Sequence, residues 1–162
     1  MKSLSVILTI MLFSILISGC FSNYLYPEPE YSNVKINSIK VTAMSFVDAN
    51  STGWDNWSGP DLYIVILDAN NTQVYRSSTK WDCSASGLPY SWSLPTAFEI
   101  NNLSSNYTIS VYDDDSDDIT SNDDLIGGYY FNFDSAKEGY PTAISIHNAA
   151  YPTKFELSVI WY

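Results

Sequence analysis

From Val34 onward, apolar and polar residues alternate with a period of two, the repeat of a half-buried strand. "VKINSIKVTAMSF" sets Val34 and Ile36, then Ile39, Val41 and Ala43, on one side; the slip in period near Ser38 predicts a bulge. "DLYIVILD" is an apolar run that ends in the turn-forming "ANNT", and "QVYRSSTK" completes a hairpin. The stretch after it, rich in Pro and aromatics, reads as a loop before the short strand "TAFEI". "YTISVY" places Tyr107, Ile109 and Val111 on one face, and "LIGGYYFNF", "TAISIHN" and "KFELSVIWY" follow. Eight strands, loops at short intervals and no helix of ordinary length predict an all-β fold, an eight-stranded antiparallel β-sandwich. An aromatic content of 15% supplies much of its core area, at about 25 cal/mol per Å² buried.

The first twenty residues break this pattern. "MKSLSVILTIMLFSILISGC" has one lysine, an apolar run and then small residues, the layout of a secretory signal and too short for a stable membrane span. Its end, Ile17-Ser18-Gly19-Cys20, resembles a bacterial lipobox, where cleavage before the cysteine is followed by acylation, with palmitate as the expected chain. The alternative is an ordinary signal with an incidental cysteine. The expected organisation is a lipoprotein signal peptide over 1–19, a Pro-containing tether over 20–33 and the sandwich over 34–162. Lipid on Cys20 implies anchorage to a membrane of the bacterial cell envelope, on a periplasmic or a surface-exposed face.

Charge and cysteine usage narrow the function classes. The net charge is -11, from 18 acidic and 7 basic residues. No basic patch offers itself to nucleic acid, and direct electrostatic docking on anionic lipid is disfavoured. With Cys20 acylated, Cys83 has no intramolecular partner, so disulfides do not staple the fold. The single histidine, His147, lies far along the chain from Cys83. No Ser/His/Asp arrangement, zinc-ligand spacing or phosphate-binding glycine loop is present, and the expectation is a protein that is not an enzyme.

The strongest chemical signal is "YDDDSDDITSNDDLIGG". Seven of the twelve residues from Asp113 to Asp124 are aspartates, between two strands. A solvated acidic loop is one explanation. A hard-cation site is the other, because Ca²⁺ takes roughly six to eight oxygen ligands and offsets the repulsion of clustered carboxylates. EF-hand spacing fits Asp113, Asp115, Asp117 and Asp124, but Asp118 stands where that loop needs glycine and the flanks are strands. A partner loop is present upstream: Asp55 and Asp61 lie six residues apart in "WDNWSGPDLYIVI".

These paired loops resemble those of the C2 domain, the calcium- and phospholipid-binding β-sandwich. "GPDLYIV" stands where that family carries an aspartate opening a strand, and "VYDDDSDDITSNDDLIG" is similar to its third calcium loop. One strand before the first acidic loop and an added strand at the end resemble the family's type II topology. The resemblance implies Ca²⁺ held by Asp55, Asp61, Asp113, Asp115 and Asp124, with the carbonyls of Asn56 and Asp114 as further ligands. The third loop is about three residues longer than the family's usual form, so Asp117, Asp118 and Asp123 compete for the last position, and Leu62 replaces a proline. Trp54 and Trp57 flank Asp55 and either contact a membrane interface or a sugar face, or cap the core. Two function classes remain. One is a calcium-binding module whose partner is anionic lipid, a glycan or an envelope protein. The other is a carbohydrate- or envelope-polymer-binding sandwich, or a structural domain with an empty metal site.

Overall fold

The computed structural model describes residues 30–55, 58–94, 98–115 and 122–162. The leader with Cys20, most of the tether, Asn56, Trp57, Asp117 and Asp118 lie outside the described residues. Of the segment Met1–Glu30 only Glu30 is described, as an exposed residue; Tyr31–Tyr162 forms one unit by its own contacts.

Among its described residues are nine strands: β1 (Val34–Ala43), β2 (Leu62–Leu67), β3 (Gln73–Arg76), β4 (Tyr90–Ser93), β5 (Glu99–Ile100), β6 (Tyr107–Asp113), β7 (Asp124–Phe131), β8 (Ala143–His147) and β9 (Lys154–Trp161). They form two antiparallel sheets. One runs β4-β1-β9-β8, with β5 also paired to β1; the other runs β3-β2-β6-β7. The two-sheet antiparallel architecture is the one the alternation predicts. The structure adds β4, which the sequence reading placed in a loop. Its core side is Tyr90 and Trp92, between exposed Ser91 and Ser93, an alternation of only four residues inside a stretch rich in Pro and aromatics.

Between the sheets, β1, β2, β6, β8 and β9 each bury one face, while β3 and β7 contribute only half-buried side chains. Along β9, Phe155, Leu157, Val159 and Trp161 are buried; from the facing sheet Leu62, Ile64, Ile66, Ile109 and Val111 close over them. The period slip near Ser38 is a bulge: Ile36 faces Val159 and Ser38 faces Ser158, so Asn37 is the extra residue. That extra residue keeps Ile39 and Val41 on the core side.

The loop from β1 to β2 crosses between the sheets and carries Asp55. It leaves at the Ala43 end of β1. At the other end of that strand, Asn33 exchanges backbone hydrogen bonds with Tyr162, N to O at 3.0 and 3.1 Å. Gly59 makes the crossing possible, since a Cβ there would overlap the backbone carbonyl of Cys83. The same five-residue turn occurs at Asp48–Thr52 and Asp68–Thr72. In each, the aspartate Oδ1 accepts two backbone N–H bonds, and the fourth residue (Ser51 or Asn71) has φ near +60°. Asp48 is held below the usual carboxylate range chiefly by the Thr52 N–H.

Candidate metal centre

Strand parity decides where the aspartates go. On β6, Ile109, Val111 and Asp113 face the core, and Asp113 is only 1% exposed. Asp115, two residues on, returns to the same side as Asp113. Asp114, between them, turns the other way and accepts a hydrogen bond from Thr79 Oγ1 at 2.6 Å. β2 and β6 are paired with Leu62 opposite Asp113, which brings Asp61 to the end of β6. There the Asp61 N–H donates to Asp113 Oδ1 at 2.6 Å, and the Asp114 N–H donates to the Asp61 carbonyl at 2.8 Å. Two loops whose residues are 52 positions apart are thus stitched together at their bases.

Asp55 arrives from the β1–β2 loop and completes a carboxylate cluster. One oxygen each from Asp55, Asp113 and Asp115 lies within 4.8 Å of the others. Two oxygens bound to one Ca²⁺, each at about 2.3–2.6 Å, can be no more than about 5 Å apart. The donor set, all hard carboxylate oxygen, therefore fits a single hard cation such as Ca²⁺. Asp61 stands beside the trio, its Oδ1 accepting the Asp82 N–H at 2.7 Å.

The electrostatics carry the mark of that crowding. Burial pushes the Asp113 carboxyl up to about 7; the charges of Asp55, Asp115 and Asp61 push the same way, against the bond from the Asp61 N–H. Burial likewise raises Asp61, with Asp55, Asp82 and Asp114 adding to it. In the absence of metal the site holds negative charge against its own repulsion.

The other aspartates are sorted differently. Asp124 opens β7 directly across from Asp113, exposed and outside the trio. Asp123 accepts a hydrogen bond from the Tyr63 hydroxyl at 2.6 Å. Asp114 and Asp123 both lie at ion-pair distance from Arg76, 3.5 and 3.7 Å. Trp54 is half-buried, with its indole N–H donating to the Ser45 carbonyl at 3.0 Å.

Sequence reasoning missed Asp82, Thr79, Tyr63 and Arg76. Asp82 contributes a backbone N–H from a φ of +52°, a role that its residue type does not announce. It also missed Trp81, 57% exposed in the same loop as Asp82.

No family model matches the sequence, and no curated protein sequence matches it. Solved structures are similar in fold. "Structure of a C2 domain" matches with a TM-score of 0.51 and 11% identity, covering 80% of this chain and 96% of that one. Human GIVD cytosolic phospholipase A2 matches with a TM-score of 0.55 and 15% identity, covering 82% of this chain and 17% of that one. The chain thus spans about a sixth of the phospholipase's length. At these identities the likeness is one of architecture, and the protein has a C2-like β-sandwich fold.

Proposed function

We propose that the protein is a calcium-binding module, not an enzyme, held at a bacterial cell envelope by lipid on Cys20. The observation that carries the metal reading is the convergence of Asp55, from one loop, with Asp113 and Asp115, from another, on a volume the size of one ion. Asp61 is the fourth residue of the set, and Asp124, across the strand pair from Asp113, is the candidate fifth. Calcium bound there supplies positive charge and coordination sites for a phosphate or carboxylate of another molecule. A protein of net charge -11 has no other evident means of holding an anionic lipid or polymer. Lipid on Cys20 already supplies membrane attachment, so calcium serves to lock the loops or to hold a second surface, an envelope protein or a polymer.

Isothermal titration of the full chain in non-ionic detergent, with Ca²⁺ and then Mg²⁺, tests the reading. A calcium-selective isotherm that disappears in Asp61→Asn and Asp113→Asn supports it. Equal millimolar responses to both ions would indicate diffuse screening and refute it. A glycan reading draws on Tyr130 and Tyr151, 81% and 62% exposed on and beside β7. Calcium-independent capture on a glycan array is the result that would favour it.

A further inference from the structure

The acidic loop carries carboxylates besides Asp113 and Asp115, and the structure shows what holds two of them. Arg76 closes β3 opposite Val65 of β2. Its guanidinium lies 3.6 Å from the centroid of the Tyr63 ring, which stacks on Tyr112 at 5.4 Å and an interplanar angle of 12°. From that platform Nη2 reaches Asp114 Oδ2 at 3.5 Å and Nη1 reaches Asp123 Oδ2 at 3.7 Å. The same two oxygens accept hydrogen bonds from Thr79 Oγ1 and the Tyr63 hydroxyl, each at 2.6 Å. Asp114 and Asp123 are the two stems of the acidic loop, one leaving β6 and one entering β7.

We infer that Arg76 is a positioning residue that brackets both stems and sorts the loop's carboxylates, holding Asp114 and Asp123 outward so that Asp113 and Asp115 are presented inward. An exposed ion pair contributes little. This one differs in that the Asp114 side chain is 7% exposed and the guanidinium lies flat on an aromatic ring. A planar fork can serve two carboxylates at once, which a lysine ammonium on a flexible stem does poorly. The grip passes to the metal set through the backbone. Asp114 lies between Asp113 and Asp115, and its N–H is bonded to the Asp61 carbonyl. The role of this bracket in metal binding rests on the calcium reading; the bracket itself does not.

A calcium-free double-mutant cycle on the full chain tests the bracket directly. Arg76→Gln and Asp123→Asn should each lower the melting temperature, and the double variant should fall no further than Arg76→Gln alone. Fully additive losses would overturn the inference. If Arg76→Gln does not fold, Arg76→Lys takes its place in the cycle under the same criterion. The second arm separates position from charge. Arg76→Lys and the Arg76→Gln/Asp123→Asn double variant both keep the wild-type net charge. Each should bind Ca²⁺ about tenfold more weakly, the low end for a residue that supports metal ligands from behind. Wild-type affinity in both would show Arg76 to be only a charge and would overturn its positioning role. A wild-type chain indifferent to Ca²⁺ would overturn the proposed function instead, with the calcium-free cycle deciding the bracket.

Discussion

Replacing Asp113 by Asn removes one charge from a position that is 1% exposed and keeps the shape, including an oxygen for the Asp61 N–H. In the metal-free protein that charge is a burden. The folded carboxyl titrates near 7 and the unfolded one near 3.8. Between these values the folded chain keeps a proton that the unfolded chain has released. Its stability therefore falls as pH rises through that window, and the full penalty is present above it. At about 1.4 kcal/mol per pH unit the ceiling is on the order of 4 kcal/mol. Asp48, lowered by its turn, contributes in the opposite direction and titrates below the window. Urea unfolding of wild type and Asp113→Asn in metal-free buffer, from pH 4.5 to 8, isolates the effect as the difference between two curves. The variant should lie within about 1 kcal/mol of wild type near pH 4.5, and its advantage should grow with pH to at most about 4 kcal/mol at pH 8. Millimolar Ca²⁺ should then raise wild type and leave the variant unmoved. Parallel pH profiles for the two proteins would refute the reasoning, because the Asp113 charge would then carry no folding penalty.

Further outcomes follow from single positions. Asp115→Asn should weaken Ca²⁺ binding more than Asp124→Asn in titration calorimetry, since Asp115 belongs to the trio and Asp124 stands outside it; the reverse order would move the site toward β7. Gly59→Ala should cost about 2 kcal/mol or more in thermal melts, because the added methyl overlaps the Cys83 carbonyl and the 55–61 loop must shift. Phe155→Ala, fully buried at the second position of β9, should cost about 3–5 kcal/mol without changing the calcium isotherm of the protein that remains folded.

The fold was legible wherever one face of a strand is dry. β1, β2, β6 and β9 carry the alternation or apolar runs that burial requires, and even the extra residue Asn37 announced itself as a slip of period. β4 was not legible because its inward pair, Tyr90 and Trp92, spans only four residues within a Pro-rich stretch. The approach of the two acidic loops was implied by the C2 resemblance, which Asp61, just before β2, and Asp113, closing β6, carry. The division of labour among the aspartates could not. All seven are alike as letters. What separates Asp113 and Asp115 from Asp114 is the parity with which β6 ends and the position of an arginine on a strand two places away in the sheet. Asp82 was invisible for another reason: it serves the site with its backbone, from a segment without strand pattern.

The mutual hydrogen bonds of Asn33 and Tyr162 tie the outermost residues of β1 and β9 side by side, with Val34 opposite Trp161. Tension applied through these two residues meets the β1–β9 ladder from its end and opens it one rung at a time, like a zipper. The shear geometry that makes some sandwiches mechanically strong is absent for this pair. The first rungs to part are those farthest from the acidic rim, so the carboxylate cluster outlasts the early stages of forced extension.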